Sequence, residues 1–290
     1  MVMLLLTLAA CQRGQQETDQ AYVDAMTEQH AADAPVASPA AEIPPAVEIA
    51  SQEVTYGNLD GRELKGYLAY PAEAHGALPG VLVFHEWWGL NDNIRAMADQ
   101  LAGQGYVALA VDLFDGQVAQ TPDAARALLD AALGNRARLD AKIRLAYTYL
   151  EQQTQATSIG TIGWCFGGGM SLRAAQLFPD KIDATVIYYG HVDTDTAALE
   201  PLTMPILAFF GAEDQGIPVE LARQFEQALH SLGKRAEVHI YEGAGHAFAN
   251  PSGQNYRPGP AEDAWRRTLA FFDAHLNAAL HAAPTPASSP

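Results

Sequence analysis

Gly163-Trp164-Cys165-Phe166-Gly167-Gly168-Gly169 (GWCFGGG) decides the reading of this chain. An apolar, β-prone run, SIGTIGW, leads into it, and a helical pattern, GGMSLRAAQLFP, leads out. Gly-X-Cys-X-Gly between strand and helix has the form of a nucleophile elbow with cysteine in place of serine. Gly163 and Gly167 would let strand and helix approach across a sharp turn, and the helix start would face the sulfur. A helix N-terminus favours a thiolate and leaves backbone N–H groups free for a developing oxyanion. Two other readings fit the heptapeptide taken alone. Cysteine is often a small, inert core residue. A glycine-rich turn can also cradle phosphate, although the Lys-Ser/Thr pair of a P-loop is absent.

Working outward, the signals alternate. QEVTYGN and LKGYLAY read as paired strands around the turn LDGRE. PGVLVFHE, YVALAVDLF, SIGTIGW, IDATVIYYG and PILAFFG are continuous apolar runs, the mark of strands buried on both faces. Helical patterns separate them: NDNIRAMADQLAGQG, with its Asn/Asp start and glycine stop, then TPDAARALLDAAL, RLDAKIRLAYTYLEQQ and PVELARQFEQALHSLG. AEVHIYEG is a last strand and AEDAWRRTLAFFDAHLNAAL a closing helix. The pattern predicts an α/β fold: one mainly parallel sheet with helices on both faces, over residues 51–282. In such sheets ligands bind beyond the carboxyl ends of the strands. The informative positions are therefore Glu86, Asp112, Cys165, Gly190-His191, Asp214 and His246.

A nucleophile needs a base, and the base an orienting group. FFGAEDQGIP sets Asp214 just after a strand, and YEGAGHAF sets His246 on a loop after the last strand. Nucleophile, acid, histidine is the chain order of α/β-hydrolases. Of the nine histidines, most look like surface residues, and His239 lies within a strand, where packing is expected. Together GWCFGGG, GAEDQGIP, GAGHAF and FHEWWGLND resemble the dienelactone hydrolase family over residues 51 to about 280. The resemblance implies an α/β-hydrolase fold and a Cys165-His246-Asp214 triad. It implies that Glu86 takes part in activating the thiol, where a plainer reading makes it a cap for the helix near Asn91. It implies an oxyanion hole from the backbone N–H groups of Trp87 and Phe166.

The expected reaction is hydrolysis of a carboxylic ester or lactone through a thioester. Thiolate is a good leaving group as well as a good nucleophile, so the substrate alkoxide must leave well; enol esters and lactones qualify, amides do not. Well-known family members hold a carboxylated lactone with arginines. Here DGQVAQTP follows the fourth strand with no arginine before Arg126, and Asn250 stands where another arginine is expected. Trp88, Phe114, Tyr189 and Phe248, with Trp87, could form an apolar, aromatic pocket instead, although each taken singly suits a core. A less charged ester or lactone is therefore expected. Two readings from other classes stand beside it: a catalytically silent binding protein on a hydrolase scaffold, and a redox cysteine, which would lack a resolving partner.

The chain has 290 residues and a formal net charge of −17, with no Lys/Arg cluster, which excludes nucleic acid as a partner. No run of 18 apolar residues suggests a spanning helix. The start, MVMLLLTLAAC, resembles a bacterial lipoprotein signal, with residues 1–10 removed and Cys11 lipidated, although no Lys or Arg precedes the apolar run. Gln12 after Cys11 leans toward the outer membrane, on its periplasmic side. Cys165 is then left as a free thiol. Residues 11–50 are rich in Ala, Pro and Gln and carry seven acids against one arginine; they are expected to form a flexible tether. Residues 283–290 are expected to fray. No cofactor and no metal are expected; the partners expected are a small-molecule ester or lactone and, through the lipid anchor alone, a membrane.

Overall fold

The computed structural model describes residues 19–31, 33, 43–73 and 76–277. Cys11, the signal segment and the 283–290 tail lie outside the described residues. Eight strands form one sheet: β1 (Ile49–Leu59), β2 (Arg62–Pro71), β3 (Gly80–Phe84), β4 (Val107–Val111), β5 (Ile159–Trp164), β6 (Ala184–Tyr188), β7 (Ile206–Gly211) and β8 (Ala236–Tyr241). Their order is β1-β2-β4-β3-β5-β6-β7-β8. β1, β2 and β4 pair antiparallel, and every pairing from β4 through β8 is parallel. The β1–β2 hairpin turns at Asp60-Gly61, both at positive φ, which matches the twist of the strands it joins.

The apolar runs become strands β3 to β7, in which every residue is buried. Each large side chain among them, such as Phe84, Phe209 and Phe210, contributes about 1.5–3 kcal/mol by leaving water. Helices α2 (Asp92–Gly103), α3 (Pro122–Leu133), α4 (Arg136–Gln153), α5 (Phe166–Leu177), α7 (Val219–Ser231) and α8 (Pro258–Leu276) follow the predicted pattern, and a short turn α6 (Thr196–Leu199) adds to it. Asn91 caps α2 by accepting from the Ile94 N–H at 3.2 Å. Glu86 is thus not needed as that cap.

One region departs from the expected tether. Residues 19–29 form a helix, α1, whose Tyr22, Val23 and Met26 are buried in the core cluster. Two arginines hold it down. Arg126 on α3 pairs with Asp24 and donates to Thr27 Oγ1 at 3.0 Å. Arg136 on α4 grips Asp19 with two donors. The composition of residues 11–50 suggested a tether because alanine, proline and acids dominate the average. The helix is built from the few residues that composition dilutes.

Candidate active site

Parallel strands bring their carboxyl ends to one edge of the sheet, and the chemistry-bearing residues gather there. Cys165 follows β5 at once and has φ 55°, ψ −119°, a strained conformation costing on the order of 1–3 kcal/mol. The strain is imposed by close approach. A Cβ on Gly163 would lie 2.0 Å from Gly167 O, and one on Gly167 would lie 2.1 Å from Phe84 O. Neither position accepts a side chain, so β5 and α5 turn back on each other and lift the sulfur above the sheet. Phe166 opens α5, and its N–H has no acceptor within the helix. Tyr189 and Ala247, each also at positive φ, flank the same site.

Asp214 lies in the turn after β7. Its Oδ1 accepts from the N–H groups of Gly216 and Ile217, both at 2.8 Å. This fixes the carboxylate and leaves Oδ2 to accept from His246 Nδ1 at 2.7 Å. The Nε2 of His246 is buried and makes no hydrogen bond. A nitrogen of His246, a nitrogen of His30 and Cys165 Sγ all lie within 4.8 Å of one another. Burial alone would push the Cys165 thiol up, but the His246 and His30 imidazoles beside it bring it down to about 5. Burial likewise works against charging His246, yet Asp214 and the thiolate raise it well above its usual value. Both shifts favour the charged form of the pair, thiolate beside imidazolium.

Glu86 sits two residues past β3 with its carboxyl buried. Asn250 Nδ2 donates to its Oε2 at 2.6 Å, and the Tyr189 hydroxyl lies 3.5 Å from its Oε1. Burial first, then the charge of Cys165, raises its pKa to about 8. It is therefore a neutral acid at pH 7. Asn250, where an arginine was expected, supports Glu86. The backbone around Trp87 is held by His85, whose Nδ1 donates to Glu86 O at 2.6 Å and whose Nε2 accepts from the Leu113 N–H at 3.1 Å. Asp112 accepts from the Phe114 and Gly116 N–H groups, a turn role rather than a chemical one.

The four expected pocket aromatics are all buried. Tyr189 packs edge-on against His246 and Phe248, with ring centres 5.3 Å away in both cases. Trp88 packs on Trp87 at 5.0 Å. Phe114 lies against His85 and Phe166 at 4.6 and 5.5 Å, supporting the elbow. The cavity beside α5, about 520 Å³, is lined instead by Tyr22, Arg136, Phe166, Arg173 and His191, among others. Both arginines are paired with carboxylates, Arg136 with Asp19 and Arg173 with Asp140. His239 stacks on Phe209 at 5.6 Å, the packing role expected of it.

The residues that the sequence reading missed come from α1. The Tyr22 hydroxyl is 3.8 Å from Cys165 Sγ, and the thiol reaches Met26 Sδ at 3.7 Å. His30 stacks on Trp87 at 4.7 Å and packs edge-on to His246 at 5.3 Å. The helix closes over the sulfur, and Cys165 has no exposed surface. A signal was present: Tyr22, Met26 and His30 recur every four residues, one face of a helix.

A family model described as "Dienelactone hydrolase family" matches residues 64–276. "Protein usf" of Aquifex pyrophilus is 34% identical over 224 residues, covering 75% of this chain and 96% of its own. A "Putative carboxymethylenebutenolidase" of Aquifex aeolicus is 30% identical over 224 residues, with the same 75% and 96% coverage. Among solved structures, a "Putative Dienelactone Hydrolase" from Klebsiella pneumoniae superposes with a TM-score of 0.69 at 27% identity, covering 79% of this chain and 100% of its own.

Proposed function

The chain belongs to the dienelactone hydrolase family and is a hydrolase of carboxylic esters or lactones, and on that footing we propose a Cys165-His246-Asp214 triad as its machinery. The observation that carries the proposal is the line from the Asp214 carboxylate through His246 to a thiol lowered to about 5 at a strained strand-to-helix turn.

The Cys165 thiolate attacks the carbonyl carbon, and the carbonyl electron pair moves to oxygen. The N–H groups of Trp87 and Phe166 hold that oxyanion. As the C–O bond breaks, the His246 imidazolium passes its Nε2 proton to the leaving alkoxide. The neutral imidazole then takes a proton from water, hydroxide attacks the thioester, and the thiolate departs with the carboxylic acid released. Asp214 holds the imidazole in the tautomer both steps need. Neutral Glu86 lies near the sulfur without adding a negative charge that would oppose the attack.

The substrate is a small, weakly charged ester or lactone with a good leaving group. Support comes from the pairing with carboxylates of Arg136 and Arg173, the two arginines that line the cavity beside α5. Short aryl esters and lactones should be turned over by the wild type and not by Cys165→Ala. A carboxylated dienelactone preferred far above neutral aryl esters would overturn the substrate class, and activity surviving in Cys165→Ala would overturn the mechanism. Loss of activity in that variant also excludes the silent-scaffold reading.

The lipobox-like LAAC before α1 supports processing before Cys11 and anchoring on the periplasmic side of a membrane, the outer one by Gln12. Mass spectrometry of protein from a bacterial host should find acyl chains on Cys11. An unacylated N-terminus from a host that lipidates its own lipoproteins would refute it.

A further inference from the structure

The α1 helix does more than cover the nucleophile. It brings a second imidazole and a thioether to the sulfur. We propose that Cys165 Sγ, His246 Nε2, His30 Nε2 and Met26 Sδ form a binding site for a soft metal ion, Cu(I), which latches α1 over the nucleophile and switches hydrolysis off.

Four observations point there. The three strong donors lie within 4.8 Å of one another, wholly buried. With metal bonds of about 2.3 Å to sulfur and about 2.0 Å to nitrogen, tetrahedral donors sit about 3.3 to 3.8 Å apart, so no pair closes by more than about 1.5 Å. Both imidazoles keep a buried Nε2 with no partner in hydrogen-bond geometry, and the ion takes the place of any proton there, which is released to water. Each is fixed through Nδ1 by a carboxylate at 2.7 Å, His246 by Asp214 and His30 by Asp33. That carboxylate–imidazole–metal arrangement is how metal-binding histidines are usually oriented. A hydrolase triad needs one such histidine; His30 is a second, which lowers the thiol but takes no proton in the ester chemistry. Finally, Met26 Sδ stands 3.7 Å from Cys165 Sγ, the spacing of two sulfur ligands on one ion.

The donor set selects the metal. Thiolate plus two imidazoles would suit zinc, and the thioether, a soft and uncharged sulfur, is the donor that turns this S2N2 set toward Cu(I). The ligands come from two parts of the chain, His30 and Met26 from α1 and its end, Cys165 and His246 from strand-end loops. One ion therefore joins them and removes the nucleophile's free electron pair at the same time.

The binding measurements need no substrate, so their failure is distinct from failure of the hydrolase reading. The full chain is titrated anaerobically with Cu(I) against a chromophoric Cu(I) chelator, with Zn(II) in parallel. One Cu(I) per chain is expected, held at least tenfold more weakly in both His30→Ala and Met26→Leu, the second of which keeps the shape of the helix face. X-ray absorption at the copper edge should count two sulfurs in the wild type and one in Met26→Leu. Cu(I) should also slow wild-type ester hydrolysis more than that of either variant relative to its own metal-free rate. No stoichiometric Cu(I), equal affinity in His30→Ala, or tighter Zn(II) than Cu(I) would each overturn the proposal.

Discussion

The elbow at Cys165 and the α1 helix that covers it meet at one sulfur atom, yet they are held in different ways. The elbow is fixed by backbone crowding: Gly163 meets the Gly167 backbone and Gly167 meets the Phe84 backbone at the end of β3 so closely that glycine is required on both sides of the turn. α1 is fixed by side chains alone, a few buried apolar groups and two arginine–carboxylate pairs at its solvent side. Backbone geometry cannot yield by small steps. Side-chain docking can open locally while the sheet stays folded. The Cys165 sulfur is thus held rigidly from below and reversibly from above, as the proposed attack by a buried thiolate requires.

The largest effects should come from breaking the rigid half. Gly167→Ala sets a Cβ 2.1 Å from Phe84 O, and a loss of about 3–5 kcal/mol is expected, read by denaturant unfolding. A variant that unfolds like the wild type would show that the turn relaxes. Asp214→Asn leaves the packing but removes the charge that supports the imidazolium. Ester hydrolysis should fall by about a thousandfold or more, and the pH at which Cys165 alkylates should move up.

The next effects concern pH. With the thiol at about 5, iodoacetamide should label Cys165 at a steady rate down to that pH and lose it below, rather than losing it through about 8.5 as an ordinary thiol does. Glu86 is raised to about 8, so it ionises as pH rises past that value and places a carboxylate near the thiolate. Hydrolysis should decline on that alkaline limb. Glu86→Gln should flatten it, and a limb that persists in the variant would assign it elsewhere.

Smaller effects should come from loosening the upper half. Replacing Tyr22 and Met26 together by alanine should speed alkylation of Cys165 by about tenfold, because the helix opens more often. Arg136→Ala removes one partly exposed anchor, and a two- to threefold gain is expected, since such pairs contribute at most about 1 kcal/mol. No gain in either variant would mean that α1 does not gate the site.

Much of the lower half was legible. Gly163, Cys165 and Gly167 mark a strand-to-helix turn, and the apolar runs give the buried strands, because their spacing is a property of consecutive residues. Asp214 and His246 could be picked out because each follows a strand run closely. α1 was hidden because its residues are few and set among alanine, proline and acids. Asn250 was read only as a missing arginine, since nothing local relates it to Glu86 far back in the chain.

The sequence by itself determined the order of strands and helices, the sharp turn at Cys165 and the placing of Asp214 and His246 just after strands, because periodicity and glycine spacing act over short stretches. Only the tertiary structure decided that Glu86 is neutral at pH 7, that His30 and Met26 converge on the nucleophile, and that Tyr22 covers it. Those outcomes depend on burial and on distances between residues more than a hundred positions apart, such as Tyr22 and Cys165. No local pattern encodes them.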